Sequence, residues 1–153
     1  MTTTTVPATR TTGPLLPIGV YAVTTAFNAL GVFADGTDGA EANPWEFVVI
    51  AVLSAVAVAV VFGLVVPRTL RGTRAAGVGL GLSIAGLVLV LAFWSGLTPA
   101  LAVGGIVLGA AARRSGRRTG MGGVAVAVGA LALLGWVASY VTDYMATHNI
   151  AGM

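Results

Sequence analysis

Residues 68–118 read RTLRGTRAAGVGLGLSIAGLVLVLAFWSGLTPALAVGGIVLGAAARRSGRR. Two apolar runs, 76–94 and 98–112, meet at the turn Ser95-Gly96-Leu97-Thr98-Pro99, and arginines close both flanks. Arg68, Arg71 and Arg74 precede the pair, while Arg113, Arg114, Arg117 and Arg118 follow it. A chain that enters a bilayer beside one arginine cluster and returns to another keeps its positive charge on one side. Short cytoplasmic loops retain Lys and Arg, so this spacing is a topology signal.

The same rule orders the remainder of the chain. Arg10 precedes the first apolar run; Asp35, Asp38, Glu41 and Glu46 fall between the first and second, and Asp143 follows the last. All 8 basic residues therefore map to the cytoplasmic side and all 5 acidic residues to the other. Crossing a hydrocarbon core of about 30 Å takes roughly 20 helical residues. Lipid offers backbone polar groups no partner, so each apolar run must be a helix. The strand-like alternation Val56-Ala57-Val58-Ala59-Val60 is overruled by the length of the run that contains it.

The expected fold is an all-α integral membrane bundle of five transmembrane helices, at 15–34, 46–66, 76–94, 98–112 and 121–142, with the N-terminus inside and the C-terminus outside. Pro67 is expected to close the second helix. The fourth segment spans only about 22 Å at about 1.5 Å per residue. A four-span alternative therefore makes 76–112 a re-entrant hairpin with 95–99 at its tip. Both versions return the chain to the arginine side, so charge does not choose between them.

With 57% hydrophobic and 8% charged residues among 153, and a mean hydropathy of +0.96, no room remains for a separate water-soluble domain. The expected organisation is a Thr-rich disordered cytoplasmic tail at 1–13, one transmembrane domain at 14–145, and a short outer tail at 146–153 that carries His148. Val32-Phe33-Ala34 resembles a signal-peptidase site. The apolar run from Leu15 exceeds a signal core of about 7–15 residues and a single Arg precedes it, so the segment is read as uncleaved. The net charge of +3 is assigned to topology and anionic headgroups, and no nucleic-acid partner is expected. The Ala, Gly, Val and Arg bias, with no Lys, suggests a GC-rich genome; a bacterial cytoplasmic membrane is the expected location. Trp45, Trp94, Trp136, Tyr140 and Tyr144 fall toward the acidic ends of their segments and are read as an interfacial belt.

Small residues recur at four-residue spacing: Ala51, Ala55, Ala59 and Gly63; Gly77, Gly81 and Ala85; Gly105 and Gly109; Ala125 and Gly129. Helices in lipid associate through close backbone approach along such stripes. They are expected to serve packing within the bundle, or an interface with a second copy or a partner membrane protein. Tyr21, Thr24, Thr25 and Asn28 share one face of the first helix, at i, i+3, i+4 and i+7. Asn28 is expensive in hydrocarbon and should face another helix or a cavity.

No catalytic, cofactor or metal site is expected. Cys is absent and His148 is the only His, so a metal set is not assembled. Ser54, Ser83, Ser95 and Ser139 have no base at a recognisable spacing. No carboxylate is placed at mid-membrane, where a proton relay would need one.

From about residue 75 to 141 the chain resembles a group of small, Gly-rich multi-pass membrane proteins frequent in actinobacteria, of domain-of-unknown-function type. The resemblance rests on AGVGLGLSIAGLVLVLAFW at 76–94, the Gly/Pro turn, ALAVGGIVLGAAARR at 100–114, and the Gly-rich run that follows. It implies fold and location without an activity. The functional expectation is a non-enzymatic accessory or assembly component acting through helix packing. The alternative is a small transporter or channel component with a polar path along Tyr21, Thr24, Thr25 and Asn28.

Overall fold

The computed structural model describes residues 13–34, 44–116 and 119–147. The tail segments 1–12 and 148–153, with Arg10 and His148, lie outside these residues, as do Asp35, Asp38, Glu41, Arg117 and Arg118. The described chain is helical throughout, in five rods: α1 (Leu15–Ala34), α2 (Pro44–Leu70), α3 (Ala75–Ser95), α4 (Leu97–Arg114) and α5 (Thr119–Thr147). Four of them, α1, α2, α3 and α5, are long and apolar enough to cross a membrane. The chain is thus a multi-pass membrane protein.

Large apolar side chains point outward, with Leu91 83% and Leu134 67% exposed, while the interior collects Ala, Gly, Ser and Thr. That distribution suits a bundle whose solvent is hydrocarbon, where close approach of small residues replaces the hydrophobic drive. α3, α4 and α5 form the tightly packed centre, and α1 and α2 lie against one another at its side. Half of α4 is buried, including Thr98, Ala102, Gly105 and Gly109. An apolar cluster of Val61, Val66 and Leu108 joins α2 to α4.

Pro67 does not close α2, which continues to Leu70. The reason is a π-helical stretch at Ala59–Val65, in which the Val66 N–H bonds the Val61 carbonyl five residues back. The widened turn makes room for the proline ring against the carbonyl four residues before it.

The connection between α3 and α4 is a single residue. α3 tightens to a 3-10 helix over Leu89–Ser95, breaks at Ala92 (φ −115, ψ 50), and turns through Gly96 in the left-handed region (φ 69, ψ 4). α4 then starts at Leu97, so Thr98 and Pro99 sit in its first turn rather than in a loop. Proline is harmless there, because first-turn amides have no helical acceptor. The added residues bring α4 to about 27 Å, and α3 to about 35 Å, close to a hydrocarbon thickness of about 30 Å.

The hairpin tip is roofed by its neighbours. Gly96 packs against Ser54 and Asn28, which lie about 15 Å and about 9 Å inside the near ends of α2 and α1 at about 1.5 Å per residue. Backbone that leaves the helix at membrane depth is tolerated where protein covers it, and here it does.

Candidate functional site

The face of α1 singled out by its spacing divides in two. Thr24 is 1% and Asn28 3% exposed, whereas Tyr21 and Thr25 are half-buried. The Thr24 hydroxyl donates back to the Val20 carbonyl at 2.8 Å. Asn28 Oδ1 accepts a hydrogen bond from the Tyr140 hydroxyl of α5. Ser54 of α2 and Thr98 of α4, both fully buried, complete the group.

Gly96 sits at the centre of this polar knot. A Cβ there would collide with Ser54 Oγ and come within 3.0 Å of Asn28 Nδ2 and 3.2 Å of Thr24 Cγ2. Only glycine satisfies both the positive φ and that space. Thr25 Oγ1, Asn28 Nδ2, Ser54 Oγ and Thr98 Oγ1 find no hydrogen-bond partner among the described residues.

Beside the knot lies an aromatic cluster. Trp136 meets Phe27 at a tilt with centroids 4.8 Å apart and Tyr140 edge-to-face at 5.3 Å, and Phe93 meets Tyr140 edge-to-face at 5.0 Å. Trp136 is 2% exposed, and its Nε1–H donates to the Phe93 carbonyl at 3.2 Å. Trp136 is therefore an internal wedge, contrary to the interfacial belt expected for it. That acceptor is a carbonyl in the last turn of α3, next to the break at Ala92, a partner invisible in an apolar run. Trp45, Trp94 and Tyr144 are exposed and remain compatible with an interface.

The small-residue stripes sort by face. All four are buried: Gly109, Ala125 and Gly129 in the α4–α5 contact, and Gly105 against Gly79 and Ser83 of α3. A Cβ on Gly109 would lie 2.8 Å from the Gly122 carbonyl, and one on Gly129 2.9 Å from the Ala102 carbonyl. On α3 the stripe Gly77, Gly81 and Ala85 is exposed and takes no part in packing within the bundle. The inner face is Ala76, Gly79, Ser83 and Gly86. Ser83 decides it, because its hydroxyl reaches the Ala125 carbonyl at 2.7 Å and so ties α3 to α5. On α2, Ala51 and Ala55 are half-buried, while Ala59 and Gly63 face outward. Its buried face is instead Ser54, Val58, Val61 and Val66.

The described arginines Arg68, Arg71, Arg74, Arg113 and Arg114 are all exposed. They gather at one end, where the 70–76 turn faces 111–115 across a shared cleft. Glu46 opens α2, and Asp143 lies one turn beyond Tyr140, so both belong to the opposite end. Ser54, Thr98 and Gly96 are the site residues that spacing arguments missed. Each is a small polar or flexible residue within a small-residue run, and that was the available signal.

No family model, curated protein or solved structure matches the chain.

Proposed function

We propose that the protein is a non-enzymatic assembly component of a bacterial cytoplasmic membrane, with its arginine end in the cytoplasm, and that it docks a transmembrane helix of a partner membrane protein. One observation carries this reading. α3 has two small faces, and while Gly79, Ser83 and Gly86 are consumed inside the bundle, Gly77 and Gly81 face outward with nothing within 4 Å. Ala85 continues that outer face. Glycine weakens a helix by about 1 kcal/mol relative to alanine, and toward lipid it offers no packing in return. Against another helix it permits close backbone approach.

Native mass spectrometry of the gently extracted protein tests this. A second protein at fixed stoichiometry, lost in the double variant Gly77→Leu/Gly81→Leu, supports it; a lone monomer or a homo-oligomer overturns it. The path reading has less support, because Tyr140 and Gly96 close over Asn28 and Thr24. Loss of a solute flux in Asn28→Leu with assembly intact would restore it.

A further inference from the structure

Asn28 of α1, Ser54 of α2 and Thr98 of α4 each end in a buried polar atom, Nδ2, Oγ and Oγ1, that meets no partner among the described residues. Asn28 is 3% exposed, and Ser54 and Thr98 are 0% exposed. Polar atoms enclosed to this degree nearly always have a partner, which can be a bound water or ion, because leaving them unpaired is costly.

The three groups converge on one end of one helix. Gly96 precedes α4, an 18-residue helix with no side-chain cap. The position a Gly96 Cβ would take touches Ser54 Oγ and lies 3.0 Å from Asn28 Nδ2, and Thr98 stands in the first turn that follows. From this convergence we propose that the N-terminus of α4 is an occluded binding site for a small inorganic anion of the halide class, held by Asn28, Ser54 and Thr98.

The donor set decides the sign of the charge. Asn28 Oδ1 already accepts from Tyr140, so the group that Asn28 leaves for an occupant is an amide that only donates. The first-turn amides of α4 also only donate. The Leu97 N–H reaches Ser95 Oγ at 3.4 Å, and the Thr98 N–H has no acceptor within the helix. The helix dipole adds partial positive charge at the same point, the setting in which anions bind. The Ser54 and Thr98 hydroxyls donate as readily as they accept. A cation would face the Asn28 and Thr98 hydrogens, and a water would be offered more donors than acceptors. Donors drawn from around a single Cβ position surround only a small ion.

Two effects oppose an anion. The carbonyls that end α3 reach the same tip, but that of Phe93 is engaged by Trp136 Nε1–H at 3.2 Å. Asp143 lies a turn beyond Tyr140, and Glu46 about two turns before Ser54; both are exposed, so water and salt screen them. The bound ion would join α1 and α2 to α4. It would add to the Tyr140–Asn28 bond in holding α1, the least buried of the four long apolar helices.

The test melts the full chain in dodecyl maltoside, an uncharged detergent, with sodium chloride replacing sodium gluconate at constant ionic strength. The expected result is a saturable rise in melting temperature with chloride. In gluconate alone the two hydroxyls are unmet, so Ser54→Ala/Thr98→Val should be no less stable than wild type. Its half-saturating chloride concentration should rise by at least about tenfold, through loss of two donors to a charged acceptor. Ser139→Ala removes a hydroxyl bonded to Gly135 of its own helix, outside the site, and should shift that concentration by less than about twofold. Asn28→Asp keeps the acceptor for Tyr140, replaces the donor with a second acceptor, and should abolish the chloride response.

An undiminished response in Asn28→Asp or in the double variant would place the effect elsewhere on the protein and overturn the proposal. Identical melts in chloride and gluconate would assign the buried groups to water and overturn it. A rise that follows sodium, lost when choline replaces it at fixed chloride, would put a cation there and overturn it as well.

Discussion

Tyr140 of α5 donates its hydroxyl hydrogen to Asn28 Oδ1 of α1, joining residues 112 positions apart in the chain. This is the one side-chain to side-chain hydrogen bond described between α1 and the α3–α4–α5 centre, and it lies directly over the hairpin tip. Removing either partner strands the other in a buried setting. Tyr140→Phe and Asn28→Leu should each destabilise the protein, and a double-mutant cycle in mixed micelles should return a coupling of about 0.6–1.7 kcal/mol. Additive effects would mean the bond contributes nothing to holding α1.

Gly96 should tolerate no side chain. Gly96→Ala places a Cβ at φ 69 and against Ser54 Oγ, combining left-handed strain of about 1–2 kcal/mol with overpacking of about 1–3 kcal/mol. Ser54→Ala in the same chain should recover the packing part and leave the strain. Thermal melts of the single and double variants separate the two contributions.

Ser54 and Thr98 each bury a hydroxyl that has no described partner. Removing such a group together with its unmet hydrogen bond is neutral or favourable, in contrast to breaking a made bond. Ser54→Ala and Thr98→Val should therefore leave the melting temperature unchanged or raise it. A loss above about 1 kcal/mol in either would reveal a hydrogen bond to a bound molecule.

The two faces of α3 should respond oppositely to the same substitution. Gly79→Leu meets Gly109 N at 3.0 Å and the Gly105 carbonyl at 3.1 Å, and should split α3 from α4 at several kcal/mol, on the order of the largest core changes. A Cβ on Gly77 meets nothing within 4 Å, and Gly77→Leu should leave the isolated chain's stability near wild type. Unfolding in graded denaturing detergent measures both.

Helix number and the gathering of the described arginines at one end were legible in the chain because both are one-dimensional properties: run length, and position relative to the runs. Which face of α3 turns inward was not. Gly77, Gly79, Gly81 and Gly86 leave two small faces on one helix, and hydrophobicity does not separate lipid from protein when both are apolar. The discriminating residue is Ser83, whose acceptor lies 42 residues away. Asn28 announced itself by its polarity, and its burial follows. Trp136 and Pro67 were misread for a common reason: each depends on a local departure from α geometry, the break at Ala92 and the π turn at Ala59–Val65, that no residue type in those stretches signals.

A one-residue connection also removes a degree of freedom. With Gly96 alone between them, α3 and α4 have no slack to slide past one another, so they translate as a single prong. One end of that prong is the tip seated among Asn28, Ser54 and Thr24; the other end forms both walls of the arginine-side cleft. The break at Ala92, about one turn from the tip, interrupts that rod, so it is the seat among Asn28, Ser54 and Thr24, and not stiffness of α3, that holds the two helices in register.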